Sequence, residues 1–160
     1  MPSLTLRPVT AEDTAFLFAV YASTREAELA LTGWSTEQKA AFCAQQFHAQ
    51  DTHYRQHYPG AQYFVIEAEN QAAGRLYVDH GENEIRVMDI ALLPQFRGKG
   101  IGTHYFRELQ KEAQTASKVL SIHVEAFNPA KRLYERLGFQ LAEDKGVYHF
   151  MTWTPEAAPQ

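Results

Sequence analysis

Three glycines at alternate positions constrain this chain more than any other feature. Gly98, Gly100 and Gly102 lie between an apolar run that is typical of a strand and a pattern that is typical of a helix. Glycine adopts positive φ without steric cost and lets the backbone approach a ligand closely. A helix that begins near Gly100 exposes four unpaired N–H groups and the positive end of its dipole. Arg97 and Lys99 add positive charge, so this turn is suited to bind a phosphate or a diphosphate.

Two common nucleotide-binding motifs also place glycines between a strand and a helix, and both fail here on spacing. A P-loop ends in glycine, lysine and then serine or threonine, and this chain has no such run. A dinucleotide fingerprint needs its third glycine three residues after the second, whereas Gly102 follows Gly100 by two. A connection that binds no ligand is the simpler alternative, although one glycine would normally be enough for it.

Length and charge narrow the function classes. A chain of 160 residues is long enough for one substantial core, and we expect a single domain over residues 1–154 with a frayed tail at 155–160. The net charge of −4 argues against a general nucleic-acid binder, which needs a basic face. No apolar run is long enough to cross a membrane, and the N-terminus does not resemble a signal peptide. We therefore expect neither nucleic acid nor a membrane as a partner.

The cysteine and histidine residues indicate a compartment and argue against a metal centre. The single cysteine, Cys43, cannot form an internal disulfide, and a buried reduced thiol fits a cytoplasmic protein. His53 and His57 lie four residues apart, but no cysteine pair and no H-E-x-x-H motif accompanies them. We therefore predict that the chain holds no metal ion.

Hydrophobic periodicity and turn residues predict a mixed α/β fold with the element order β-α-α-β-β-β-α-β-α-β-β. Thr10 with Asp13 and Ser35 with Gln38 form capping-box patterns, which predict the starts of the first two helices. The later helices are predicted to begin near residue 100 and at Asn128. The predicted strands are residues 3–9, 63–68, 74–79, 84–93, 119–126, 139–142 and 146–153.

Two motifs about 30 residues apart carry a family resemblance. The first, "QFRGKG" at residues 95–100, resembles the Q/R-x-x-G-x-G/A signature of the GCN5-related N-acetyltransferase (GNAT) superfamily. The second includes Asn128 and "LYERLGF" at residues 133–139, and it is similar to that superfamily's strand and short helix ending in L-Y-x-x-x-G-F. The resemblance covers about residues 84–142. It implies a central mixed β-sheet with splayed strands, flanked by about four helices.

The resemblance implies acetyl-CoA as the cofactor. The diphosphate of acetyl-CoA would bind the backbone N–H groups of residues 98–103. The pantetheine arm would pair with the backbone of the strand before the glycine turn, where the parallel strands part. The cofactor-binding residues implied are Ile90, Ala91, Leu92, Arg97, Gly98, Lys99, Gly100, Ile101, Gly102, Thr103 and Asn128.

The resemblance also implies candidates for the catalytic acid and base. Tyr134 matches the tyrosine of the second motif, whose hydroxyl would protonate the leaving CoA thiolate. Glu84 has the spacing of the glutamate base in the histone acetyltransferases of the family. His123 lies where the N-terminal-amine acetyltransferases of the family carry a glutamate base. The residues themselves add Asp89 as a third candidate for the base, because an acid within an apolar strand is unusual without a partner or a function. Ordered water alone is the fourth candidate.

These observations predict an acetyl-CoA-dependent enzyme that transfers an acetyl group to a primary amine by direct attack in a ternary complex. The acceptor would be a small-molecule or peptide amine, and the resemblance implies that a homodimer is a common state. The alternative is a module that binds acyl-CoA as a sensor and has lost the chemistry. Tyr134 together with a base within reach favours the enzyme.

Overall fold

The computed structural model describes residues 2–156. Within that range the chain forms four α-helices and seven strands, and a short 3-10 helix precedes the first and the third α-helix. The α-helices are α1 (Thr14–Leu29), α2 (Thr36–His57), α3 (Ile101–Ala116) and α4 (Lys131–Arg136). The strands are β1 (Leu4–Pro8), β2 (Gln62–Ala68), β3 (Gln71–His80), β4 (Glu84–Leu92), β5 (Val119–Glu125), β6 (Gln140–Asp144) and β7 (Tyr148–Trp153).

The seven strands form one sheet in the order β1-β2-β3-β4-β5-β7-β6. β1 pairs with β2, and β7 pairs with both β5 and β6, in antiparallel orientation. β4 and β5 instead pair in parallel, from Glu84 and Val119 to Val87 and Ile122, and both strands continue beyond the last pair. The predicted α/β fold with a mixed sheet and parting strands is therefore confirmed.

The helix starts follow the predicted caps with one exception. The Ser35 hydroxyl accepts the Gln38 N–H at 3.1 Å, and the Gln38 side chain accepts the Ser35 N–H at 2.9 Å. The helix predicted from Asn128 begins only at Lys131. The Asn128 side-chain oxygen accepts the Ala130 N–H at 2.9 Å and closes a separate turn before the helix. The prediction of this helix was correct, and the prediction of its start was wrong.

The described residues divide into two compact units, of which the first comprises residues 2–76 and 90–99. In this first unit α1 packs against α2 around the buried side chains of Tyr21, Leu29 and Cys43. Cys43 is 3% exposed, which confirms the predicted buried thiol, and burial raises the pKa of that thiol. A buried thiol with a raised pKa is unreactive, so Cys43 is a core residue and does not carry an acyl group.

An ion pair at the start of α1 fixes the N-terminal strand to the helices of the first unit. The Arg7 guanidinium donates to both carboxylate oxygens of Asp13, at 2.7 and 2.9 Å. Asp13 also accepts the Thr10 N–H at 2.7 Å, as the capping-box pattern predicts. The hydrogen bonds from Arg7 and Thr10 hold the pKa of Asp13 well below its usual range.

The second unit comprises residues 77–89 and 100–156, and it contains α3, α4 and the strands β5 to β7. α3 buries the face that carries Ile101, Tyr105, Leu109 and Ala113, which is the stripe that its 3.6-residue periodicity indicates. The Gln110 side chain on the same helix donates to the backbone oxygen of Leu137, the residue that follows α4, at 2.8 Å. This buried hydrogen bond fixes α4 against α3.

The C-terminal end of the described residues contacts α3. Glu156 lies outside any helix or strand, and its backbone exchanges two hydrogen bonds of 2.9 Å with the Gln114 side chain. The rest of the predicted tail, residues 157–160, lies outside the described residues. Among residues 2–156, no helix combines the length and the apolar character that crossing a membrane requires.

Gly74 on β3 allows a close backbone contact with the end of β4. A Cβ atom at position 74 would lie 2.2 Å from the Ala91 backbone oxygen and 3.0 Å from the Leu92 Cα. The Leu93 N–H then donates to the Ala73 backbone oxygen at 2.8 Å. Glycine is therefore required at position 74, because the segment that precedes the glycine turn lies directly against it.

We predict that Gly74→Ala destabilises the protein, because backbone atoms would have to move to admit the methyl group. The free energy of unfolding should fall by about 2 kcal/mol or more, as for an overpacked site. Gly60→Ala is the matched control, because a Cβ there meets nothing within 4 Å. Urea denaturation of both variants measures the difference. Equal stability of the two variants would contradict the close contact.

Candidate active site

The first half of the glycine turn belongs to the first unit. Gly98 has φ of +73°, and a Cβ there would meet nothing within 4 Å, so its backbone faces open space. The Arg97 side chain donates to the Leu92 backbone oxygen at 2.9 Å and to the Ser23 hydroxyl at 3.2 Å. The Lys99 ammonium lies 5.9 Å from the centroid of the Phe96 ring. Two cations and an open backbone can attract an anion here.

The second half of the turn begins α3 in the second unit. Gly100 is the N-cap residue and has φ of +82°. The His104 N–H donates to the Gly100 backbone oxygen at 2.9 Å, the first hydrogen bond of the helix. The N–H groups of Ile101, Gly102 and Thr103 therefore have no acceptor within the helix. A Cβ at Gly102 would also meet nothing within 4 Å, so this helix start fits an anionic group.

The other predicted cofactor residues lie on β4 and before α4. Ile90, Ala91 and Leu92 are half-buried and follow the last β4 residue that pairs with β5. Their backbone groups on the β5 side of the strand are therefore not used by that ladder. Asn128 uses its side-chain oxygen on Ala130, which leaves the carboxamide nitrogen as its free hydrogen-bond donor.

Four polar side chains of β4 and β5, Glu84, Arg86, Ser121 and His123, form what we call the β4–β5 polar cluster. The residues on each strand are two apart, so they share one face of the sheet. The Ser121 hydroxyl donates a hydrogen bond to Glu84 Oε1, and Arg86 Nη2 donates to the same oxygen at 3.0 Å. Arg86 Nε also lies 3.4 Å from the Ser121 hydroxyl oxygen. Hydrogen bonds thus connect Glu84, Arg86 and Ser121 across the parallel pair, and His123 interacts with Glu84 and Arg86 electrostatically.

Glu84 is held in its ionised form within this cluster. Burial raises the pKa of the carboxyl, but the hydrogen bonds from Ser121 and Arg86 lower it. The charges of Arg86 and His123 lower it further, so the net pKa is below the ordinary value. A carboxylate with a lowered pKa and two donors is a weak proton acceptor. Its geometry suits an ion-pair partner that fixes its neighbours.

His123 is held in its neutral form. Burial lowers the pKa of its imidazole, and the charges of Arg86 and Lys145 lower it further. The negative charges of Glu84 and Glu143 act in the opposite direction and have the smaller effect. A neutral imidazole at pH 7 has a lone pair on one ring nitrogen, which is the requirement for a proton acceptor.

Lys145, in the turn between β6 and β7, extends this cluster. Its ammonium nitrogen lies 3.3 Å from His123 Nε2 and 4.0 Å from a Glu143 carboxylate oxygen. The same nitrogen lies 5.5 Å from the Phe150 ring centroid, and the His123 and Phe150 rings are 4.8 Å apart. The Lys145 side chain is 44% exposed, so it contacts His123 on one side and solvent on the other.

Tyr134 on α4 is held in its protonated form. The residue is 6% exposed, and its ring packs against Phe106 and Phe139 at centroid distances of 5.0 and 6.0 Å. Burial, and then the negative charge of Asp89, raise the pKa of its hydroxyl above the ordinary value for tyrosine. Asp89 therefore acts on the candidate acid, whereas Glu84 and His123 act on each other.

The structure brings together residues that the sequence analysis treated as alternatives and adds three that it missed. Arg86, Ser121 and Lys145 were not predicted. A signal was present, because Arg86 and Ser121 each stand two residues from a predicted site residue. Among residues 2–156, no three His, Cys, Asp or Glu side chains are grouped closely enough to hold a metal ion.

Comparison with known proteins identifies the family. The family model for the acetyltransferase (GNAT) domain matches residues 59–141. A curated protein of Bacillus subtilis (strain 168), named "Putative [ribosomal protein bS18]-alanine N-acetyltransferase", is 35% identical over 86 residues. That match spans 51% of this chain and 56% of the relative, so it covers little more than half of the relative's length.

Solved structures show the same fold. The PaiA N-acetyltransferase of Thermoplasma acidophilum, crystallised in complex with coenzyme A, superposes with a TM-score of 0.72 at 17% identity. The superposition covers 95% of this chain and 99% of that one. An acetyltransferase of Thermus thermophilus gives a TM-score of 0.69 at 21% identity, and covers 96% and 99% of the two chains. The chain belongs to the GNAT acetyltransferase family, whose acetyl donor is acetyl-CoA.

We predict that two substitutions move the pKa of His123 in opposite directions. Arg86→Gln removes a positive charge and should raise it, whereas Glu84→Gln removes a negative charge and should lower it further. Titration of the His123 ring protons by NMR measures both shifts. Glu108→Gln is the control, because Glu108 pairs with Lys111 at 3.3 Å and is not among the groups that act on His123. Shifts of the same sign would contradict the cluster.

Proposed function

We propose that this chain is an N-acetyltransferase that transfers an acetyl group from acetyl-CoA to an amine. The observation that carries the proposal is the opposite effect of burial on two groups of the second unit. Burial raises the pKa of Tyr134 and lowers the pKa of His123. Titratable groups shifted apart in this way are typical of an acid and a base that act at the same pH. Family membership supports the same reaction class.

Acetyl-CoA would supply an acetyl group activated as a thioester. We propose that the N–H groups of residues 98–103 bind its diphosphate, because the open glycine backbone and the helix start suit an anion. Arg97 would have to leave Leu92 and Ser23 to contribute its charge. The coenzyme A bound to the PaiA N-acetyltransferase of Thermoplasma acidophilum supports the assignment. The proposed set is Ile90, Ala91, Leu92, Arg97, Gly98, Lys99, Gly100, Ile101, Gly102, Thr103 and Asn128.

We assign the proton transfers to two residues. His123 would accept a proton from the acceptor amine, because its imidazole is neutral and partly accessible. Tyr134 would donate its hydroxyl proton to the leaving thiolate. Glu84 would position Arg86 and Ser121 around His123, and Asp89 would keep Tyr134 protonated. The two carboxylates thus support the acid and the base in this proposal.

The acceptor class follows from the same chemistry. We propose an amine-bearing small molecule or peptide, and the name of the Bacillus subtilis relative favours a peptide amine. The alternative is a sensor that binds acyl-CoA without turnover. The enzyme and the sensor can be distinguished by incubating the protein with acetyl-CoA and a panel of amines and measuring the release of free CoA thiol. A sensor would bind the coenzyme and release no thiol. The cytoplasmic location, the homodimer and the single domain over residues 1–154 remain predictions.

We predict that Gly98→Ala abolishes most of the stabilisation by coenzyme A. The methyl group would occupy the open space in front of the turn, where we place the diphosphate. Gly33→Ala is the matched control, because Gly33 also has φ of +73° and a Cβ there also meets nothing. Both variants carry about 1–2 kcal/mol of backbone strain. Thermal unfolding with and without coenzyme A measures the effect, since a ligand raises stability by an amount set by its affinity. Equal loss in both variants would contradict the assignment.

We predict that Tyr134→Phe lowers kcat by about 10²- to 10⁴-fold, the usual contribution of a general acid. Coenzyme A binding should persist, because the ring remains. Tyr105→Phe removes another buried hydroxyl, from α3, and serves as the control. Initial rates against the best amine of the panel, with coenzyme A titrations, measure both properties. An unchanged kcat in Tyr134→Phe would contradict the role of Tyr134 as the acid.

A further inference from the structure

We propose that Lys145 is a self-acetylation site: the chain's own lysine takes the place of the acceptor amine beside His123. This inference rests on the proposed function, because it uses the same acetyl donor and the same proton acceptor. It adds a modified residue and an intramolecular reaction to that function.

The geometry that carries the inference is the contact between an amine and a candidate base. Lys145 Nζ lies 3.3 Å from His123 Nε2, close to the distance at which a base removes a proton. Phe150 and Glu143 border the same ammonium at 5.5 and 4.0 Å. The Lys145 side chain therefore points toward His123, although its residue stands in an exposed turn.

The turn between β6 and β7 fixes the direction of this lysine. The Asp144 carboxylate accepts the Gly146 N–H at 2.9 Å, and the Lys145 N–H donates to the Tyr148 backbone oxygen at 2.9 Å. β7 pairs with β5 with His123 opposite Phe150, so the turn ends beside the part of β5 that carries His123. A backbone held on both sides of Lys145 keeps its amine near the imidazole.

The reaction balances with the groups that the proposal names. The Lys145 ammonium gives one proton to His123, which passes it to solvent. The freed nitrogen then forms a bond to the acetyl carbonyl carbon while the bond from that carbon to sulfur breaks. The leaving sulfur gains a proton from Tyr134 and becomes the CoA thiol. The nitrogen then loses its second proton, which restores the Tyr134 hydroxyl. The products are acetyl-lysine, free CoA and one solvent proton.

Mass spectrometry of the full chain incubated with acetyl-CoA and no added amine tests the inference. Lys111 is the internal reference, because its side chain is 76% exposed against 44% for Lys145, and exposure alone favours its acetylation. We expect Lys145 to be acetylated at least about tenfold faster than Lys111. The rate per molecule should not depend on protein concentration. His123→Gln and Tyr134→Phe should reduce the modification to the rate of Lys111.

The outcomes separate the inference from the function on which it rests. If added amines are acetylated while Lys145 reacts no faster than Lys111, the self-acetylation is wrong and the proposed function stands. If coenzyme A gives no thermal stabilisation and neither amines nor Lys145 are acetylated, both are wrong. A rate that rises with protein concentration would show transfer between molecules and would overturn the intramolecular reaction.

A second measurement needs no acetyl donor. Lys145→Gln has the neutral charge of acetyl-lysine, so it should raise the pKa of His123 in the free protein. NMR titration of the His123 ring in this variant and in Lys111→Gln measures the difference. An equal pKa in both variants would show that Lys145 does not contact His123 in solution, and it would overturn the proposal.

Discussion

The parallel pairing of β4 with β5 ends after Val87 and Ile122, and the chemistry that we propose for the second unit depends on this constraint. His123 is the next residue on β5 and Asp89 follows two residues after Val87 on β4, so both lie just beyond the last pair. A side chain at the end of a ladder has its position fixed by the strand and has access to solvent on one side. His123 and Asp89 combine these properties, since both are half-buried and each has a charged or titratable neighbour.

Burial is the largest cause of the protonation states of both Tyr134 and His123: it keeps the tyrosine protonated and the histidine deprotonated. It disfavours whichever form is charged, so it raises the pKa of the Tyr134 hydroxyl and lowers that of the His123 imidazole. Asp89 strengthens the first shift because it opposes a tyrosinate, and Arg86 and Lys145 strengthen the second because they oppose an imidazolium. In the proposed mechanism, one acid and one base are thereby available at the same pH, and neither has to change its protonation state before the reaction begins.

The sequence predicted the helices and strands better than it predicted their connections. The capping pair of Ser35 and Gln38 and the buried stripe of α3 follow from local spacing, which the sequence contains directly. The start of α4 does not follow from local spacing. The Asn128 side chain closes a turn before the helix, and the same residues are equally typical of a helix cap. Arg86 and Ser121 were missed because their meeting depends on the parallel register between two distant strands. Lys145 was missed because only the antiparallel β5–β7 pairing brings its turn to His123.

In the proposed mechanism, the balance of charge around His123 explains why the proton acceptor is an imidazole. Arg86 and Glu84 compensate each other through a direct ion pair of 3.0 Å, and Lys145 and Glu143 face each other at 4.0 Å. Of the side-chain types in this cluster, histidine is the one that ordinarily changes charge near neutrality. In the proposed reaction, a proton released by the acceptor amine goes to His123, and the positive charges of Arg86 and Lys145 favour its transfer onward to solvent.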